Sequence, residues 1–137
     1  ECYVQSEQVI YARPPRRIAL VACVKDKQVF PCAAQDMYLG NDFNAWMNYA
    51  KEQGADEVFI LSGKYGLLAL DTIIEPYDVN LNTQSDEYKT EWAKKVLVAL
   101  GMNINLRQDE CIIMTNETYY MDLITMIKNY EIPFNIK

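Results

Sequence analysis

Apolar positions along the chain fall into two patterns: short unbroken blocks, and longer stretches in which they recur every three or four residues. The first block is Arg17-Ile18-Ala19-Leu20-Val21-Ala22-Cys23-Val24. A continuous apolar run of this length predicts a strand over 17–24 buried on both faces of a parallel sheet. Segments 57–62 and 111–115 repeat the pattern, and 132–136 suits a closing strand. Between the blocks the period changes. Asn41, read as an N-cap, precedes Phe43, Trp46, Met47 and Ala50 on one stripe, which Gly54 closes. A second stripe of Tyr88, Trp92, Val96 and Leu100 follows start residues in 83–86 and stops at Gly101, and a third follows Asn116. The stretch from Gly66 to Thr83, with Pro76 inside it, reads as irregular. Strand alternating with helix three times predicts one small α/β domain over residues 17–137, with a mainly parallel sheet and helices on both faces. Residues 1–16 end in Arg13-Pro14-Pro15-Arg16 and read as an extended lead-in.

Composition sharpens this picture at a few points. With 137 residues, half of them apolar, the chain has enough surface to bury a real core. It contains no histidine, which removes imidazole-based triads and every zinc site with a His ligand. Cys2, Cys23, Cys32 and Cys111 show no zinc-like spacing and read as thiols in a reducing, cytoplasmic compartment. No metal or cofactor is expected. No signal-peptide pattern is visible, and no apolar run approaches the length of a membrane span, so no membrane partner is expected. The net charge of −6 argues against a dedicated non-specific DNA binder, although Arg13, Arg16, Arg17, Lys25 and Lys27 make the first fifth of the chain locally basic.

In an open parallel sheet the C-terminal strand ends share one edge, and ligands bind in the crevice there. Strand one delivers Cys23, Lys25 and Lys27 to that edge; strand two delivers Ser62, Lys64 and Tyr65; strand three delivers Thr115 and Asn116. Three lysines beside helix N-terminal amides favour an anionic ligand such as a phosphate. The same lysines also suit a merely solvated loop. Cys23 is a candidate nucleophile because Lys25 and Lys27 would favour its thiolate, with strand packing as the alternative. Ser62 and Lys64 are a candidate Ser/Lys pair. Asp36 could orient Lys25 or accept from a ribose or base, with Tyr38 beside it as ligand contact or packed aromatic. Gly63-Lys64 lacks the rest of a Walker A loop.

Four ordered blocks also resemble a family: Cys23-Val24-Lys25-Asp26-Lys27, Asp36-Met37-Tyr38, Leu61-Ser62-Gly63-Lys64-Tyr65-Gly66-Leu67-Leu68, and Glu75-Pro76-Tyr77. They are similar to the motifs of the YaaA-like superfamily, most of all its compact branch, over roughly residues 17–100. The resemblance implies a nucleotide, nucleobase or nucleic-acid ligand, since the larger members are associated with peroxide stress and DNA binding. It implies Gly63, Tyr65, Gly66 and Tyr77 as ligand residues and Glu75 as the acid/base candidate. The chain is shorter than those members, lacks their inserted segments, and has Lys64 where they carry an apolar residue. Two function classes stand side by side: a nucleotide- or base-processing enzyme, and a non-catalytic module that uses Lys25, Lys27, Lys64 and the Arg16-Arg17 segment on nucleic acid or a protein.

Overall fold

The computed structural model describes residues 15–105 and 108–115 and the backbone of Phe134–Ile136. In chain order its elements are β1 (Arg17–Ala22), β2 (Cys32–Ala33), α1 (Ala34–Met37), α2 (Asn41–Glu52), β3 (Glu57–Ser62), β4 (Gly66–Ala69), β5 (Ile73–Ile74), a 3-10 turn (Leu81–Thr83), α3 (Asp86–Gly101), β6 (Glu110–Met114) and β7 (Phe134–Ile136). The main sheet has the order β4-β3-β1-β6-β7. β1 runs parallel to both β3 and β6, and β7 parallel to β6; β4 alone is antiparallel, against β3. Residues 1–14 of the lead-in expected over 1–16, the third helical stripe and Asn116 lie outside the described residues.

Alternation along β1 splits the core into two layers. Ile18, Leu20 and Ala22 face one side, where Trp92, Ala93, Val96 and Leu100 of α3 cover them. Ala19 and Val21 face the other, against Met37, Phe43 and Ala50 of α1 and α2. A strand with helices on both faces has no solvent side, which is why its sequence reads as an unbroken apolar block. Ser85 caps α3, its Oγ accepting from the Tyr88 amide at 3.1 Å. At α2 the expected cap moves by one: Gly40 (φ 117°) is the N-cap, Asn41 is already helical, and no side chain caps the end. Glycine reaches that φ without strain, so the chain enters the helix one residue earlier than Asn41 suggests.

Two further expectations change. β1 ends at Ala22 rather than at residue 24, although the Cys23 amide still donates to Leu61 O at 2.9 Å. The stretch after Gly66 is irregular only in part, because β4 folds back on β3 through the turn Gly63-Lys64-Tyr65, pairing Ser62 with Gly66 and Leu61 with Leu67. Gly66 has φ 79°, the left-handed conformation that starts the returning strand.

The N-terminal edge of the sheet is tied by charge. Asp109, fully buried, accepts from the amides of Arg16 (3.0 Å) and Asn105 (2.9 Å), and the Arg16 guanidinium reaches Glu57 at 3.2 Å. Beside it, the Arg17 amide donates to Asp56 at 2.8 Å and its guanidinium to Gln53 O at 2.7 Å. Both arginines are therefore engaged at the edge opposite the lysines and do not extend a basic patch toward them.

Candidate functional site

The parallel run of β1, β3 and β6 puts Cys23, Ser62 and Thr115 at the same sheet edge. A cleft of about 400 Å³ opens there beside the end of β1. Cys23, Lys25 and Lys27 line it from the β1 side, Asp42 and Trp46 from α2, and Asp78 to Leu81 from the segment ahead of α3. Asp42 lies in the first turn of α2, so that helix end, which no side chain caps, borders the cleft.

Next to it lies a hydroxyl network. Ser62 is fully buried, and its Oγ accepts from the amides of Lys64 (3.2 Å) and Tyr65 (3.0 Å) while donating to Tyr77 Oη at 2.7 Å. Tyr77 Oη in turn shares a hydrogen with Tyr38 Oη at 2.6 Å. Trp92 Nε1 donates to Ser62 O at 2.7 Å, and Tyr88 Oη to Gly63 O at 2.8 Å. Ser62 thus closes its own turn and ties it to two tyrosines from distant parts of the chain. The tyrosines carry cations on their faces: Lys27 Nζ lies 4.6 Å from the Tyr77 ring centroid, and Tyr77 meets Tyr65 edge-on at 5.4 Å. Lys64 Nζ stands 5.2 Å from the Tyr65 ring.

The expected site residues separate into groups in this geometry. Lys25, Lys27 and Cys23 share the cleft, whereas Lys64 is exposed on the hairpin turn and does not line it. The Ser62 oxygen is occupied by two amide donors, and Lys64 turns its ammonium to Tyr65, so the two are not joined as a Ser/Lys pair. Gly63 has a packing role, since a Cβ there would sit 3.2 Å from Val79 O, the backbone of the cleft wall. Glu75 is exposed and uses its carbonyl, which accepts from Tyr65 Oη at 3.5 Å. Asp36 is exposed on α1. Tyr38 is buried, bridged through its backbone to Lys27 and packed on Phe43 with the ring centroids 5.4 Å apart and the planes tilted by 42°. Sequence reasoning did not single out Asp42 or Trp46 for the site. Asp42 sat beside an expected N-cap, and Trp46 fell on an apolar stripe; only its half-burial shows a second role.

Burial pushes the Tyr38 and Tyr77 hydroxyls well above the usual tyrosine range, with the Cys23 thiol adding to the effect. Burial also raises the Cys111 thiol in β6 from 9.0 to about 12, helped by the Asp109 and Glu110 carboxylates. Each of these groups holds its proton in the folded chain at a pH where the unfolded chain releases it. Their stabilisation is therefore intact below the unfolded pKa and lost as pH rises toward the folded one. We expect the thermal midpoint to start falling near pH 9 through Cys111 and more steeply above pH 10 as the tyrosines join. Cys111→Val should flatten the portion between pH 9 and 10, while an unchanged slope in that variant would assign the loss elsewhere.

Among the described residues no group of three or more Cys, Asp and Glu is placed to hold a metal ion, and no helix is long and apolar enough to cross a membrane. Cys23, Cys32 and Cys111 are not disulfide-bonded. Sheet order, helices on both faces and a cleft at the C-terminal strand edge define a small α/β domain of mostly parallel topology. The match of residues 18–136 places the chain in a family described as a family of unknown function (DUF6884), to which it belongs. No curated protein and no solved structure matches it.

Proposed function

We propose that the cleft at the end of β1 binds a small phosphate-bearing molecule. The observation that carries this is the meeting of two ammonium groups, Lys25 and Lys27, with the first turn of α2, whose amides no side chain caps. Amides at a helix end and lysines both stabilise negative charge, and a parallel sheet offers its ligand crevice at this edge. A volume of about 400 Å³ is that of a small-molecule pocket rather than a nucleic-acid groove. The likeness of residues 61–68 to the YaaA-like block supports the same ligand class.

The proposal is tested by calorimetric titration with inorganic phosphate and nucleoside monophosphates. Replacing both Lys25 and Lys27 by Met keeps the aliphatic stems and removes the charges. That variant should bind at least about tenfold more weakly, the scale of a lost charge-assisted hydrogen bond. Lys64→Met, on the far side of Tyr65, should bind as the unmodified protein does. Equal affinity in all three proteins would remove the lysines from the site, and absence of binding to any probe would remove the proposal.

A further inference from the structure

The cleft is not uniformly basic. Besides Lys25 and Lys27 it carries Asp42 and Asp78, so its formal charge cancels. Among the described residues no ion pair joins these aspartates to these lysines, and all but the half-buried Lys27 are exposed. Four charges that share one small cleft without neutralising each other describe a ligand with two different ends. A polyphosphate or a nucleic-acid strand would bring anionic oxygens against both carboxylates, where like charges repel. A molecule with a single phosphate avoids that if the rest of it is neutral and rich in hydrogen-bond donors, because ionised carboxylates only accept.

Trp46 supplies the third requirement. It is half-buried, held by the core on one side, and lines the same cleft. An aromatic ring so placed is a platform for a flat heterocycle. A cavity of about 400 Å³ sits near the lower end of the ~300–1,000 Å³ typical of small-molecule sites, enough for a mononucleotide.

We infer that the ligand is a nucleoside monophosphate, with its phosphate on Lys25 and Lys27, its ribose hydroxyls or exocyclic amine donated to Asp42 and Asp78, and its base against Trp46. This rests on the phosphate reading above and adds the identity of the part that is not phosphate. The carboxylates then have opposite effects on two probes: they repel free phosphate, and they hold the body of the nucleotide.

The test uses the full chain and its Asp42→Asn/Asp78→Asn double variant, titrated with inorganic phosphate and with adenosine, guanosine, cytidine and uridine 5′-monophosphates. In the unmodified protein at least one nucleotide should bind about tenfold more tightly than phosphate. In the variant, phosphate should bind severalfold more tightly and that nucleotide about tenfold more weakly, with the thermal midpoint unchanged. Three results overturn the inference alone: no nucleotide surpassing phosphate, both probes tightening together, or both weakening together, the last meaning that the aspartates only shape the cleft. Binding of neither probe to the unmodified protein would instead overturn the phosphate reading itself.

Discussion

The Ser62→Ala variant is expected to melt on the order of 10 °C below the parent chain. Ser62 is fully buried and its oxygen serves three partners, the amides of Lys64 and Tyr65 and the hydroxyl of Tyr77. Removing it leaves two turn amides without their acceptor and a buried phenol without its donor. Each such loss costs about 1–3 kcal/mol, moderated here because water can reach the turn, and a total of about 3 kcal/mol gives that shift. The measurement is a thermal melt followed by circular dichroism. A midpoint within about 2 °C of the parent, inside the range of an ordinary surface change, would show that the Ser62 hydroxyl does not hold the turn.

A larger loss is expected for Trp92→Ala. Trp92 belongs to the layer between α3 and the sheet, is nearly buried, and donates through Nε1 to Ser62 O at 2.7 Å. Truncation leaves a cavity in a close-packed layer and orphans a buried carbonyl, a change that costs about 3–5 kcal/mol. Trp92→Phe retains most of the volume and loses the hydrogen bond, so it should fall between the two. Denaturant titrations of all three proteins separate the contributions, since an unchanged slope with a shifted midpoint reports stability alone. If Phe and Ala at this position destabilise equally, the indole is held by its hydrogen bond and its volume matters little.

The order along the chain of the three central strands and of the two long helices, α2 and α3, was legible because each rests on a long signal, which the four-residue α1 does not have. An apolar block buried on both faces cannot be hidden, nor can a four-turn stripe ending in glycine. β4 was missed for a physical reason. Gly66 looks like a stop, but at φ 79° it is the residue that lets the chain reverse, and the four-residue strand it opens is too short to show a period. β2 and β5, two residues each, carry no pattern at all. For the site, Lys25 and Lys27 were readable as residues just beyond a strand. The place of Lys64 was not, because it depends on whether the turn after β3 leads away from the sheet or back along it. Tyr38 and Tyr77 are thirty-nine positions apart, and their 2.6 Å contact belongs to the tertiary fold alone. Ser62 did carry a local signal: a serine followed by a glycine turn accepts from the amides two and three residues on, which argues for a turn clasp over a nucleophile.

The knot of Arg16, Glu57 and the buried Asp109 at one end of the sheet has a consequence for how the other end can vary. It fixes where β1 lies against β3 and β6 using groups that take no part in the cleft. Strand register is therefore set at a distance from the loops that follow Ala22 and Tyr77. Those loops can exchange charge and shape without disturbing the frame that presents them, so ligand preference and folding can be redesigned on separate residues of the same chain.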